Sequence, residues 1–270
     1  MTTRTPIINV MSEAARKASR RLLRDFGEVE QLQVSRKSPA DFVSEADRKA
    51  EETLRYELSK ARPDFGMLLE EAGEIAGTNK DERWIVDPLN GTTNFLHGIP
   101  HFAISIAHEL RGAIVAGVIY DPLRDETFWA QRGVGAFVNN RRLRVSARGE
   151  LADAVLATGI PFADRPAKVE FLAQVKQAMD ATAGIRQFGA ASLDLAYVTA
   201  GRYDAFWEYG LAPWDMAAGI ILVHEAGGFV TEIGGGNNPL YGDSILACND
   251  NLQKQVGNLL RNATRETSKA

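Results

Sequence analysis

The 270-residue sequence is short of the residues that form disulfides and zinc sites. It contains one cysteine, Cys248, so no disulfide can form within the chain. Its four histidines do not combine with cysteine into the ligand pattern of a zinc site. These shortages exclude a disulfide-stapled scaffold and a cysteine-rich metal centre, and they are typical of proteins in the reducing cytoplasm.

The sequence also lacks a large excess of one charge and long apolar runs. The chain carries 31 basic and 35 acidic residues, and its basic residues are scattered, which argues against a nucleic-acid-binding footprint. The N-terminus, Met1-Thr-Thr-Arg, has no apolar stretch typical of a signal peptide or a membrane helix. With 45% hydrophobic and 24% charged residues, we expect a globular cytoplasmic protein that binds a small molecule and no membrane.

Apolar periodicity predicts two helices and then a mostly antiparallel sheet in the first half. Over residues 6–26, apolar side chains recur every three or four positions, and a second helix is predicted over residues 43–61, before Pro63. From Met67 to Arg144, short β-like runs such as RWIVDP and FAISIAHEL alternate with turn signals. We expect residues 1–150 to form an α+β half.

After about residue 150, predicted strands and helices alternate. Helices are expected from Lys168 to about Thr182, from Leu193 to Ala200, from Pro213 and from about Asn251. The strand candidates between them are AVLATGI, GIRQFG, YDAFWEY, FVTEI and SILACN. This order predicts an α/β half over residues 151–270. Because no linker separates the halves, we expect them to pack tightly as one unit.

The segment WIVDPLNGTTNF, residues 84–95, ends an apolar strand in a cluster of polar groups. Asp87 closes the strand, Pro88 fixes a backbone torsion, and Gly91 permits a tight turn that directs N–H groups outward. With the hydroxyl of Thr92 beside it, the turn offers oxygen ligands for a hard cation and donors for phosphate. A plain strand end followed by a hydrophilic turn explains the segment equally well in isolation.

Three other acids strengthen the functional interpretation if the fold brings them together. Glu70 ends the apolar run GMLLEE beside a second acid, and paired acids repel unless a cation or solvent separates them. Asp47 flanks an apolar helix face, and Asp215 follows Pro213 in the first turn of a predicted helix. The simpler explanations are an exposed strand end, a solvated helix face and a helix cap. The helix at Asp215 would also direct its N-terminus toward a nearby anion.

Two segments together resemble the inositol monophosphatase family. WIVDPLNGTTNF is similar to the signature W-x-x-D-P-x-D-G-T-x-N-F, and PWDMAAGIILVHEAGG is similar to W-D-x-A-A-G followed by E-A-G-G. The likeness spans roughly residues 5 to 260 and is strongest to the bacterial extragenic-suppressor type. It implies an α-β-α-β-α layered sandwich of the inositol monophosphatase and fructose bisphosphatase type. It also implies a homodimeric, Mg2+-dependent phosphomonoesterase that accepts Mn2+ and is inhibited by Li+.

The resemblance implies a set of metal ligands. Glu70 and Asp87, helped by the Leu89 carbonyl, would hold the first of two or three Mg2+ ions. Asp87, position 90 and Asp215 would hold the second.

Catalytic and substrate roles are implied in the same way. Glu70 and Thr92 would orient the attacking water, and Asp47 would support Thr92. The backbone amides of Gly91 and Thr92 would bind the phosphate. The residues implied at the substrate's hydroxyl groups are Glu208, Gly189, Ala190 and Ala191, and Lys37 is implied on a mobile loop near the third ion.

Position 90 departs from the signature, because Asn90 stands where the family has aspartate. An amide oxygen can still ligate Mg2+, but the loss of a formal charge weakens the attraction for the second ion in a partly dry site. We predict weak occupancy of that second position, phosphate release reduced by orders of magnitude, and partly retained ligand binding. An introduced, disabling substitution is favoured over a natural variant.

The substrate is less determined than the reaction. The same acids serve phosphatases of inositol phosphates, fructose bisphosphate, histidinol phosphate and phosphoadenosine phosphate. Glu208 favours a polyol such as myo-inositol 1-phosphate, because a carboxylate accepts hydrogen bonds from vicinal hydroxyls, although a surface acid at a strand end is the simpler explanation. A regulatory protein associated with RNA or transcription factors is the alternative, and the sequence gives it little support.

Overall fold

The computed structural model describes residues 4–26, 34–38, 41–161 and 168–267. The helices in these ranges are α1 (Pro6–Phe26), α2 (Glu45–Ala61), α3 (Thr92–Leu96), α4 (Lys168–Ala181), α5 (Ala191–Thr199), α6 (Pro213–Glu225) and α7 (Asp250–Thr267). The strands of the first half are β1 (Val34–Ser38), β2 (Asp41–Ser44), β3 (Gly66–Leu69), β4 (Gly73–Ile75), β5 (Glu82–Asn90), β6 (Ala103–Leu110), β7 (Ala113–Asp121), β8 (Glu126–Gln131), β9 (Gly135–Val138) and β10 (Arg141–Arg142). Those of the second half are β11 (Val155–Thr158), β12 (Gly184–Arg186), β13 (Ala205–Tyr209), β14 (Phe229–Thr231) and β15 (Ser244–Cys248).

Two sheets organise these elements. The larger has the strand order β10-β9-β8-β7-β6-β5-β3-β4, and its neighbours are antiparallel except for the parallel pair of β3 and β5. The smaller has the order β12-β11-β13-β15-β14, in which β11 pairs in parallel with β12 and β13. Strands β1 and β2 form a separate antiparallel pair.

The apolar side chains form four clusters that alternate with the sheets. Helices α1 and α2 cover one face of the larger sheet, and α5 and α6 lie between its other face and the smaller sheet. Helices α4 and α7 cover the remaining face of the smaller sheet. The expected α-β-α-β-α sandwich is therefore confirmed. The division near residue 150 matches the boundary between the sheets but remains a proposal about domains.

Strand β5 shows why the sequence builds this layering. Successive side chains of a strand point to opposite faces, so Trp84 and Val86 pack under α1 and α2 while Ile85 packs toward α5 and α6. Both faces are covered, and each of these side chains is at most 1% exposed. Burial of a large apolar side chain stabilises the fold by about 1.5–3 kcal/mol. The continuous apolar run before Asp87 therefore places this acid at the end of a fixed central strand.

Gly117 on β7 allows α6 to approach the larger sheet closely. A Cβ at this position would lie 2.7 Å from Ile221 and 2.9 Å from the backbone of Ala218, both on α6. The close packing fixes the axis of α6 and therefore the position of Asp215 in its first turn.

The predicted helices are confirmed, with small differences at their ends. The second helix begins at Glu45 because residues 41–44 pair with β1 as a strand. Helix α5 begins at Ala191, two residues before the predicted start. The short edge strands β4 and β10 were not predicted, since two or three residues carry no periodic signal. Across the described part of the chain, no helix has the length and apolar character needed to cross a membrane.

Candidate active site

A cavity of about 300 Å³ opens where the end of β5 meets the N-terminal ends of α3, α5 and α6. Of the predicted site residues, Asp47 and Ala190 are buried beside the cavity and do not line it. Lys37 lies in β1, and its side chain is outside the described part of the structure. The lining residues are Glu70, Asp87, Leu89, Asn90, Gly91, Thr92, Thr93, Asn94, Gly159, Ile160, Gln187, Gly189, Ala191, Glu208, Leu211 and Asp215.

Asp87 is the most deeply buried acid of the cavity, with 1% of its surface exposed. Its carboxylate accepts hydrogen bonds from the Leu89 N–H at 2.9 Å and from the Asn90 side-chain NH2 at 2.9 Å, and it is hydrogen-bonded with Glu70. Burial, and next the negative charge of Asp215, raise the pKa of Asp87 to about 8. A second carboxylate beside a buried one is tolerated when one of the two holds a proton or when a cation lies between them. The pair therefore forms a site with a strong demand for positive charge.

Pro88 shapes the end of β5. It has no N–H for the sheet, and the pairing of β5 with β6 becomes irregular between Asp87 and Asn90. The irregular stretch allows both polar side chains to reach the same cavity rather than opposite faces of the sheet.

The Asn90 side chain lies between the two acids and has a defined orientation. Its NH2 group donates to Asp87 Oδ2 at 2.9 Å and to Asp215 Oδ1 at 3.0 Å. Its oxygen accepts from the Ser192 N–H at 2.9 Å and from the Ser192 hydroxyl at 2.8 Å. A backbone N–H can only donate, so the amide oxygen must face Ser192 and the NH2 group must face the acids.

Asp215 accepts hydrogen bonds from two neighbouring residues. Its Oδ2 accepts a hydrogen bond at 2.8 Å from the N–H of Ala212, the N-cap residue of α6, as the third helical residue does in a capping box. Its Oδ1 accepts from Asn90 on the opposite side of the cavity. The simple explanation of Asp215 as a helix cap is therefore correct, and it does not exclude a role in the cavity.

Thr92 is positioned by α2. Its hydroxyl oxygen lies 3.0 Å from Asp47 Oδ1 and 3.0 Å from the Leu89 carbonyl oxygen. Asp47 is fully buried, so the solvated helix face that would explain this acid most simply is excluded. A buried carboxylate that accepts the Thr92 proton leaves the Thr92 oxygen free to accept a hydrogen bond from another molecule.

Glu51, one turn after Asp47 on α2, holds the turn that carries Glu70. Its two carboxylate oxygens accept hydrogen bonds from the Glu71 N–H at 2.8 Å and the Ala72 N–H at 3.0 Å. Glu51 is 5% exposed. A single helix therefore positions both Thr92 and the strand end at Glu70.

The backbone of Gly91 has a left-handed conformation that residues with a side chain adopt only with strain. Its φ is +96°, and a Cβ would lie 3.1 Å from the His101 carbonyl and 3.2 Å from the Ala190 side chain. Asn94 secures the same region, because its NH2 group donates to the carbonyls of His101 at 2.8 Å and Phe188 at 2.6 Å. These contacts bring the turn at Gly91 against the loop that contains Gly189.

Glu208 faces the cavity from β13 across Gly159. A Cβ at Gly159 would lie 2.0–2.2 Å from the Glu208 carboxyl atoms, so only glycine leaves this space. Behind it, Asp194 on α5 is 1% exposed, and burial, followed by the Glu208 charge, raises its pKa well above the usual value. Glu208 is therefore the acid that faces this end of the cavity, and Asp194 lies behind it.

Sequence reasoning missed four positioning residues. Asn94 had a signal, since it is the asparagine of the family signature, and Glu51 lies four residues after Asp47 on one helix face. Gly159 lies in the strand candidate AVLATGI, but Glu208, the side chain that needs its open space, lies far away in the sequence. Ser192 had no signal, because its partner is 102 residues away.

The donor set fits a hard cation at one position and does not fit at another. Glu70, Asp87 and the Leu89 carbonyl offer the oxygen ligands that Mg2+ prefers. Between Asp87 and Asp215, however, Asn90 presents hydrogen atoms. Within the described ranges, no group of three or more His, Cys, Asp and Glu side chains has a metal-holding arrangement.

Comparison with known proteins identifies the family. The sequence profile of the inositol monophosphatase family matches residues 3–267. The chain belongs to the inositol monophosphatase family. The resemblance seen in the two signatures is thereby confirmed, and it places the chain among phosphoric monoester hydrolases.

Relatives within the inositol monophosphatase family carry two kinds of name. The chain is 55% identical over 258 residues to an inositol-1-monophosphatase of Rhizobium meliloti, covering 96% of this chain and 97% of that protein. It is 48% identical over 255 residues to the Nus factor SuhB of Pseudomonas aeruginosa, covering 93% and 94%. The crystal structure of the extragenic suppressor protein suhB from Bartonella henselae is similar with a TM-score of 0.93 and 56% identity, covering 95% of this chain and 99% of that one.

Proposed function

We propose that the cavity binds a small phosphomonoester, with myo-inositol 1-phosphate as the first candidate, and that its hydrolysis by water depends on Mg2+. The observation that carries this proposal is the meeting of Glu70, Asp87 and Asp215 with the turn at Gly91 and with Glu208 around one cavity. A phosphate ester that spans the cavity would meet the turn at one end and Glu208 at the other.

The chain's own groups would bind and orient the reactants. The backbone N–H groups at Gly91 and Thr92 lie at the start of α3, where helical N–H groups lack intrahelical partners, and would donate to phosphate oxygens. The Thr92 oxygen, with its proton directed to Asp47, and the Glu70 carboxylate would accept the two protons of the attacking water. The Glu208 carboxylate would accept hydrogen bonds from neighbouring hydroxyls of the polyol.

A divalent cation belongs beside Glu70 and Asp87. When bound there, Mg2+ offsets the charge of the phosphate and lowers the pKa of an adjacent water. Glu70, Asp87 and the Leu89 carbonyl are the groups that would hold it. Mn2+ in place of Mg2+, inhibition by Li+, a homodimer, a third ion near Lys37 and a cytoplasmic location are proposals that follow from the family.

The expected rate of phosphate release depends on Asn90. Because the family signature has a carboxylate at this position, we expect the asparagine chain to release phosphate slowly and the Asn90→Asp variant to release it about 10²-fold faster with Mg2+, which corresponds to about 3 kcal/mol of transition-state stabilisation. The measurement is phosphate release from inositol 1-phosphate, histidinol phosphate and fructose bisphosphate by both proteins, with Mg2+ and with excess chelator. Equal turnover of the two proteins, or undiminished turnover in chelator, would refute the proposed roles of these residues.

A second candidate is a binding protein associated with transcription factors. Its support is that the uncharged Asn90 side chain lies between Asp87 and Asp215, where the family signature has a carboxylate, and that a relative at 48% identity is named a Nus factor. The test is capture of transcription elongation factors by the purified chain and by Asn90→Asp. Equal capture by both proteins, with slow hydrolysis by the first, would support binding as the function of this chain.

A further inference from the structure

The Asn90 NH2 group occupies the space between Asp87 and Asp215, the two acids that the family resemblance assigns to a second cation. Its two hydrogens point to Asp87 Oδ2 at 2.9 Å and to Asp215 Oδ1 at 3.0 Å. Asp87 is 1% exposed and Asn90 is 6% exposed, so little solvent reaches the contact. Hydrogen bonds from an uncharged NH2 group to a carboxylate are stronger than bonds between two neutral groups.

The amide cannot turn its oxygen to the acids without loss. Rotation by half a turn would put NH2 against the Ser192 N–H, which is itself a donor, and would leave two carboxylates facing the amide oxygen. The Ser192 hydroxyl, which can donate or accept, donates to the amide oxygen at 2.8 Å in this orientation. The bonds to the Ser192 N–H and to the two acids therefore select the orientation of the side chain.

We propose that the Asn90 amide takes the place of the second divalent cation: it bridges Asp87 and Asp215, holds the cavity in its folded geometry without that ion, and leaves the chain with one fewer metal-binding position than an aspartate at residue 90 would. This inference rests on the proposed function, which places a divalent cation beside Asp87, and on the ligand set that the family resemblance implies, which adds Asp215 in an Asn90→Asp protein.

The Asn90→Asp substitution should therefore change both the stability of the fold and the number of divalent ions that the chain binds. An aspartate at position 90 still accepts both hydrogen bonds from Ser192, but it brings a third carboxylate against Asp87 and Asp215. Without a cation, that variant has repulsion where the asparagine chain has two hydrogen bonds. The asparagine protein should thus be stable in chelator, and the aspartate protein should need the ion.

The experiment measures bound Mn2+ and thermal unfolding for the full chain and Asn90→Asp. Calorimetric titration is expected to show one additional Mn2+ per chain in Asn90→Asp. In chelator, this variant should unfold about 3 °C or more below the unsubstituted chain. Saturating Mg2+ should raise its unfolding temperature by a larger amount than that of the unsubstituted chain.

Two further variants separate the bridging role from the loss of a ligand. Asn90→Ala removes the NH2 group without adding a carboxylate, and it should also unfold earlier in chelator and gain more from Mg2+ than the unsubstituted chain. Asn258→Asp makes the same chemical change at an exposed position of α7, and it should alter neither the Mn2+ count nor the Mg2+ response.

The outcomes distinguish this inference from the proposed function. If the unsubstituted chain and Asn90→Asp bind the same two ions with equal affinity, the inference is overturned and the proposed function stands. An Asn90→Ala protein that matches the unsubstituted chain in chelator would also overturn the bridging role. If neither the chain nor Asn90→Asp binds a divalent ion, both the inference and the proposed function fail.

Discussion

At the scale of single residues, the missing side chains of two glycines shape the cavity as much as its acids do. Gly91 permits a left-handed backbone against His101 and Ala190, and Gly159 leaves the space that the Glu208 carboxyl group fills. The crowding differs between the two positions. At Gly91 a Cβ would meet backbone, whereas at Gly159 it would meet the end of a side chain that can move.

Gly159→Ala should therefore displace the Glu208 carboxyl group at little cost in stability. In the Asn90→Asp background, we expect the KM for inositol 1-phosphate to rise about tenfold, because loss of a hydrogen bond to a charged group costs about 1.5 kcal/mol. Hydrolysis of 4-nitrophenyl phosphate, which has no vicinal hydroxyls, should be unchanged. Steady-state kinetics with both esters measure the difference.

Gly234→Ala is the matched control, because Gly234 has open space around its Cβ position. It should leave both KM values unchanged. A Gly159→Ala enzyme with unchanged KM for both esters would contradict the assignment of Glu208 to substrate hydroxyls.

Residue types were predictable from the sequence, and their orientations were not. The acids at positions 70, 87 and 215 stand at strand and helix ends that periodicity and turn residues reveal. The sequence indicates that position 90 is an amide, but it does not tell which end of the amide faces the acids. That orientation is decided by Ser192, which joins the site only after the chain has folded.

At the scale of elements, helix α2 connects two parts of the site. Asp47 and Glu51 lie one helical turn apart on its buried face, and they contact Thr92 and the turn after Glu70 respectively. Helix geometry fixes the distance between these two acids. A shift of α2 would therefore move both groups that are proposed to orient the water.

Glu51→Gln should destabilise the protein. An amide keeps one acceptor but replaces the other by a donor, so one of the Glu71 and Ala72 N–H groups loses its partner, at a cost of about 1–3 kcal/mol in the free energy of unfolding. Urea unfolding measures this loss. Glu52→Gln makes the same change on an exposed face of α2 and should change the free energy by less than about 0.5 kcal/mol. The same midpoint for both variants would exclude this role of Glu51.

The long helices and strands were predictable from the local pattern of apolar residues. Helices α1 and α2 have a strong apolar period, and β5 to β8 are apolar runs between clear turns. Strands β4 and β10 escaped prediction because their pairing partners, rather than their own residues, make them strands. The contact of Glu51 with the turn at Glu71 also lies between elements, which local periodicity does not reveal.

At the scale of the whole molecule, the cavity lies between the two sheets and draws on both. Glu70 and Asp87 come from the larger sheet, and Glu208 and Asp215 come from the smaller sheet and from α6. The apolar cluster between the sheets likewise joins residues such as Ile119 with residues such as Leu222. The site therefore exists only when the two halves are packed together.

Separate expression of residues 1–150 and 151–270 tests this dependence. Each fragment would expose its side of the shared apolar cluster to water, so we expect neither to show a cooperative thermal transition by circular dichroism. Co-expressed fragments should copurify through a tag on one of them and recover a cooperative transition. A cooperative transition of residues 1–150 alone would show instead that the halves are independent domains.

The layered class was predictable because the alternation of elements differs between the halves. Which faces of the two sheets meet was not, since this depends on close approaches such as that of Gly117 to α6. Such an approach requires a small residue at one position, and a single sequence contains 24 glycines without indicating which of them lie at contacts.

The hydrogen bonds of the Asn90 amide also affect its deamidation during storage. In a flexible chain, an asparagine followed by glycine deamidates readily, because the glycine nitrogen attacks the side-chain carbonyl carbon, ammonia leaves, and water opens the ring to give a carboxylate. In the folded protein the four hydrogen bonds of Asn90 oppose the rotation that this attack requires. Deamidation should then occur in molecules whose cavity region has transiently unfolded. The deamidated fraction of a stored sample should therefore increase with the frequency of local unfolding around the cavity.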